Sequence, residues 1–230
     1  MGYGLLCSGA HWQALIDSDH GVLHVMDQGL YSGRIVNGNG DSDIVVYYRL
    51  EIDSDYPPVV FISPDGPGTY LYFAHIGGPG KWIGFTVRVV YEFRIMDGFS
   101  RVGKYCACGL SPNSLSGYGM QVSDETSKLV FDSGYKIVEF LGGAQVWDYA
   151  GYVYLGILNQ AWLYSLPWTF GLDGYFMVSV FGQGFTSPNS IGNVSIGFSK
   201  KSRDYIQLIH LGFPAPLPPV MNSPLLVAKP

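Results

Sequence analysis

Two histidines, His20 and His24, stand four residues apart, the spacing at which two imidazoles share a helix face and hold zinc. The segment around them reads as turn and strand, and neither Glu nor Cys completes a set nearby. His11, His75 and His210 are scattered. Carboxylates gather in 41–43, 53–55 and 123–125. The stretch 37–43 (NGNGDSD) offers Asn37, Asn39, Asp41 and Asp43 at alternate positions, a pattern open to calcium and equally to a hairpin turn. Glycoside hydrolysis would need two carboxylates facing each other across a cleft, and nothing in the sequence pairs them. Cys106 and Cys108 lie at i, i+2, which puts both thiols on one strand face. With Cys7 they make an odd count and no disulfide framework. Gly-x-Ser-x-Gly, P-loop and dinucleotide fingerprints are missing from the sequence. The expectation is no catalytic site, no cofactor and no metal. Five tryptophans remain as binding candidates. Of these, Trp12 and Trp168 are the candidate sugar-stacking rings, Trp168 because YSLPWTF (164–170) reads as a loop with an exposed indole.

The elements that must carry these residues have an apolar period of two. Segments 43–53, 69–76, 85–95, 136–141, 174–182, 193–200 and 204–213 are rich in Val, Ile, Tyr and Phe and are bounded by Gly, Pro, Asn or Asp. No stretch has a helix start, ten periodic residues and a stop. The nearest, 143–166, reads as strands with a turn near Tyr149–Gly151. The fold class is all-β.

Charged residues make up 13% of the chain, about half the usual roughly 25%. Aromatics are abundant, which excludes disorder for most of the length. Low charge with many rings suits a surface that meets other chains. A net charge of −5 with scattered lysines and arginines excludes a nucleic-acid partner. The small basic group SKKSR (199–203) reads as a solvated turn. No apolar run reaches the roughly 20 residues of a membrane helix, and MGYGLLC carries no secretion signal; synthesis in the cytoplasm is expected.

A repeat divides the chain. Residues 2–18 and 117–133 align without a gap: Gly-Tyr-Gly recurs at 2–4 and 117–119, Ser8 falls on Ser123, and Asp17-Ser18 falls on Asp132-Ser133. Each copy reads as a strand, a polar turn and a second strand ending in Asp-Ser. With the Gly/Ser/Pro stretch 109–117 as boundary, the expected organisation is two tandem antiparallel β-sandwich-like modules, 1–112 and 113–212. An extended Pro-rich tail, 213–230, follows. That tail holds six prolines, which withhold backbone donors from a ladder. Its apolar Leu217, Val220, Met221, Leu225, Leu226 and Val227 are expected to lie along a neighbouring subunit as an assembly arm.

The phrase GYGMQVSDETSKLVFDSGYKIVEF (117–140), echoed at 2–26, resembles the opening of small tail-tip and tail-fibre-associated proteins of tailed bacteriophages. The resemblance covers about 25 residues of each half. It implies a structural virion protein of a tail tip, baseplate or tail fibre, built as a homo-oligomer, a trimer by analogy. It further implies contact with other tail proteins, a role in host attachment, and no catalytic residues. The alternatives from other classes are a carbohydrate-binding module or adhesin domain for a host surface glycan, and a jelly-roll hydrolase.

Overall fold

The computed structural model describes residues 4–8, 13–17, 22–36, 40–91, 96–110, 117–127, 129–154, 160–180, 185–187, 190–212 and 221–230, with backbone alone for 4–17 and 185–192. In chain order the strands are β1 Gly4–Ser8, β2 Gln13–Asp17, β3 His24–Ser32, β4 Arg34–Ile35, β5 Ser42–Ile52, β6 Val59–Pro64, β7 Gly68–Gly78, β8 Lys81–Val90, β9 Val102–Gly109 and β10 Gln121–Ser123. They continue with β11 Leu129–Asp132, β12 Glu139–Ala144, β13 Asp148–Tyr154, β14 Gln160–Pro167, β15 Tyr175–Met177, β16 Phe185–Ser187, β17 Ser190–Phe198, β18 Tyr205–Gly212 and β19 Leu225–Lys229. All pairing is antiparallel, and no helix occurs among the described residues.

Two sheets pack face to face. The narrower has six strands in the order β12-β19-β15-β6-β9-β3. The wider has nine, β13-β14-β18-β17-β7-β8-β5-β4, with β16 beside β17. Alternation decides which side chains meet between them. On β5, Ile44, Val46 and Tyr48 turn inward while Val45 and Tyr47 turn out. The shared core runs from Ile44, Tyr70 and Phe85 through Val60 and Ile62 to Phe176, Ile196, Phe198 and Trp162. Close approach of β5 to β8 depends on Gly84, where a Cβ would strike the Val46 carbonyl.

The division expected at 112/113 is not a division of this fold. Strand β6 of the first half lies between β15 and β9, and β7 pairs with β17, so both sheets draw on both halves. The repeat marks something smaller. Its two copies are two antiparallel hairpins, β1–β2 and β10–β11, each a separate two-stranded sheet, with β2 against β11. Even these are not identical: Ser8 pairs with Gln13 but Ser123 pairs with Leu129, so the second turn is one residue longer. In the second copy the Asp-Ser end closes the hairpin. Asp132 accepts from the Gly134 amide at 2.8 Å, and Ser133 Oγ accepts from the Met120 amide at 2.9 Å.

The tail is corrected as well. Five of its six prolines lie at or before Pro224, and the Pro-free run LLVAK between Pro224 and Pro230 becomes β19, between β12 and β15 of its own chain. Leu225 and Val227 are buried, Leu226 on the opposite face is exposed, and Met221 packs against the main core. The expected assembly arm is a core strand of the same molecule, because period-two burial outweighs the proline content upstream of it. Leu217 and Val220 lie outside the described residues.

At the start of β3 the hairpin β10–β11 meets His24, which is fully buried against Phe131 and Tyr135, at 5.9 and 6.3 Å between ring centroids. Neither ring nitrogen has a hydrogen-bond partner among the described residues. Burial pushes this imidazole below its ordinary 6.5, while the Val22 backbone and Asp132 pull the other way; His75 and His210 are likewise lowered by burial. A folded-state pKa below the unfolded one means the unfolded chain binds more protons once pH drops under about 6.5. Stability is therefore full above that pH and declines as pH falls through it toward the folded values. Thermal melts are expected to show a lower Tm at pH 5 than at pH 7, with part of the loss absent in His24→Leu. A flat profile would contradict the burial assigned to these rings.

Candidate functional site

The buried polar cluster nearest to catalytic form sits at the β3 edge. A bulge between Val25 and Asp27 turns Asp27 inward, opposite Ala107. Its two oxygens are both occupied: Tyr105 donates from its hydroxyl at 2.7 Å, and Arg49 donates from Nε at 2.8 Å. Arg49 also reaches the Gln28 carbonyl at 3.3 Å. Since Arg49 comes from the wide sheet and Asp27 from the narrow one, the pair latches the two sheets along one edge. Burial, then the bond to Asp27, push the Tyr105 phenol up, so it stays a proton donor at neutral pH. A carboxylate with both oxygens committed is a structural tie rather than a proton carrier.

The other sequence candidates are placed as follows. Cys106 and Cys108 do share a face, their sulfurs 3.3 Å apart, both buried beneath Phe61 and Val138. The neighbouring Cys106 thiol, then burial, push the Cys108 thiol up, which makes it a poor nucleophile. Asp43 pairs with Arg88 at 2.7 Å, and Asp41 accepts from the Tyr91 amide at 3.2 Å. Both carboxylates of the 37–43 stretch thus have protein partners; Asn37 and Asn39 lie outside the described residues, as do His11, Trp12 and His20. No group of three potential metal ligands forms among the described residues.

Trp168 is not an exposed platform. Its indole donates to the Gly171 carbonyl at 2.8 Å and lies edge-on to Phe198 and Phe170, each at 5.1 Å. The ring caps the open end of the core because β14 continues to Pro167 and delivers it inward. Trp82, Trp147 and Trp162 are buried too. Tyr149–Gly151 is a bulge within β13 rather than a turn.

What the surface does offer is tyrosine. On the outer face of the wide sheet, cross-strand register builds three rows: Tyr47–Gly84–Ile76, Val45–Thr86–Ala74, and Asp43–Arg88–Leu71 with the bulged Tyr72 alongside. Tyr47 is 67% exposed and Val45 50%. Arg88 lies over the Tyr72 ring at 5.8 Å. At the opposite margin the edge strand β13 carries Tyr149, Tyr152 and Tyr154, all exposed, the last two packed edge to face at 5.3 Å. Its alternation could be read from sequence; its position at the sheet margin could not.

No family model matches the chain, and neither the curated proteins nor the solved structures yield a match.

Proposed function

We propose that this chain is a structural β-sandwich subunit of a bacteriophage tail end, joined to further copies and to other tail proteins through the tyrosine-bearing outer face of β5, β8 and β7. The observation that carries the reading is that face itself. Tyr47, Val45, Tyr72 and Ile76 share this face, two of them aromatic and exposed, with one internally neutralised ion pair, Asp43–Arg88. Interfaces are enriched in tyrosine and depleted in unpaired charge in the same way. The Gly-Tyr-Gly hairpins supply the resemblance to tail proteins, and the virion is the location that goes with it. The role is structural, with a trimer as the favoured oligomer and attachment to the host as its setting.

The test is incorporation. Val45→Lys/Tyr47→Lys places two charges on an exposed face, so the isolated subunit is expected to keep its Tm within a few degrees, surface changes costing roughly 0.5 kcal/mol or less each. Particles assembled with it in place of the normal chain are expected to lack the subunit in electron micrographs and by mass spectrometry. Normal incorporation would remove this face from the assembly.

A glycan-binding reading keeps one specific support, the exposed phenols of Tyr47 and Tyr72, which could stack on sugar rings where buried Trp168 cannot. A glycan array probed with the isolated chain separates the two readings.

A further inference from the structure

The turn between β17 and β18 carries three cations with different fates. Lys200 and Lys201 are exposed, but Arg203 is 7% exposed, with a left-handed backbone at φ +53°. Its guanidinium lies over the Phe198 ring at 5.2 Å. It makes no hydrogen bond or ion pair with any described residue. Asp65, the carboxylate whose field reaches it, does not form an ion pair with it. Proteins rarely leave a desolvated cation in this state, because burial is costly unless a counter-charge is met. Burial accordingly lowers the guanidinium's affinity for its proton.

Behind Arg203, within its field, the hydroxyls of Tyr31 and Tyr70 are 2.8 Å apart and buried. In such a pair one phenol donates to the other, and the second phenol's proton is left without an acceptor among the described residues. The end of the sandwich thus holds a surplus of donors: a guanidinium fork and one O–H. From beneath the fork a chain of rings, Phe198 to Trp168 to Phe170, runs outward in steps of 5.1 Å to the half-buried Phe170.

We propose that Arg203, backed by the Tyr31–Tyr70 pair and rimmed by Lys200 and Lys201, receives the carboxylate of an acidic sugar. The planar fork matches a carboxylate bidentately. Asp65 nearby and a net charge of −5 disfavour a dianion such as phosphate. At the outer end of the ring chain the half-buried Phe170, unlike the buried Phe198 and Trp168, gives an apolar contact for a pyranose. The inference stands apart from the assembly role, since it concerns the isolated chain and not particle incorporation, and each can fail alone.

Isothermal titration of the full chain with sodium glucuronate, at constant ionic strength, is the test. Glucose serves as the uncharged control and sodium acetate as the ringless one. Glucuronate is expected to give saturable heat, acetate a binding at least tenfold weaker, and glucose none. Arg203→Lys, which keeps the charge and loses the fork, is expected to weaken glucuronate at least tenfold. Arg203→Met is expected to abolish binding and, without ligand, to melt at a higher temperature than the parent. Absence of saturable heat from glucuronate, or binding unchanged in Arg203→Lys, overturns the site. Acetate binding as tightly as glucuronate overturns the sugar.

Discussion

Produced separately, residues 1–112 and 113–230 are expected not to fold, and neither should show a cooperative thermal transition. The reason is topological. Cutting the chain there separates β6 from β15 and β7 from β17, and opens both sheets in their middles. It also divides one core between two fragments. Val60, Ile62, Tyr70 and Phe85 would stay on the first, while Trp162, Phe176, Ile196, Phe198 and Val227 would leave with the second. Each of these buried side chains contributes about 1.5–3 kcal/mol when covered. A domain's whole net stability is only about 5–15 kcal/mol, so losing the contacts of even a handful exceeds it. Circular dichroism melts of each fragment are the measurement, together with a melt of the two mixed in equal amounts. The mixture is the informative arm: recovery of a cooperative transition there, absent from either fragment alone, is expected from interleaved sheets. A cooperative melt from 1–112 by itself would restore the tandem-module organisation.

The sequence was legible where one period ruled a segment. β5, β7, β17 and β18 fall within a few residues of their expected limits, since Val, Ile, Tyr and Phe recur there with period two between Gly, Pro, Asn or Asp, whereas β8 runs Lys81–Val90 against an expected 85–95. It was misleading where a local signal was real but small. Gly-Tyr-Gly and Asp-Ser do specify a hairpin, as Asp132 and Ser133 show, yet a hairpin repeated twice carries no information about how the strands between the copies are ordered. That order arises from long-range pairing, such as Phe176 opposite Ile62, for which no short window holds a trace. The proline count hid β19 because composition averages over a window in which all but the last of the prolines precede the strand. Arg203 reads in sequence as one more charge of a solvated turn. Only the fold, which leaves it 7% exposed with its guanidinium over Phe198, shows it to be buried.

Removal of residues 221–230 is expected to be as damaging as splitting the chain, although it takes away only ten residues. β19 is an interior strand: Leu225 to Lys229 pair with Ala144 to Glu139 on one side, and Val227 and Ala228 pair with Phe176 and Tyr175 on the other. Its loss leaves two new edges within the narrow sheet. It uncovers the core above Phe176 and orphans the Trp147 indole, which donates to the Ser223 carbonyl at 2.7 Å. Point substitutions resolve the same claim more finely, because neighbouring residues of one strand have opposite fates. Val227 is fully buried, and Val227→Asp would bury a carboxylate without a partner, at an expected cost above about 4 kcal/mol. Leu226, one residue earlier, is 37% exposed, and Leu226→Ser is expected to cost about 1 kcal/mol or less. Urea unfolding of the two variants checks both values in one experiment. The expected outcome is an unfolded or insoluble Val227→Asp beside a near-normal midpoint for Leu226→Ser. Were the tail an arm for another subunit, both variants and the deletion would unfold like the parent and differ only in assembly.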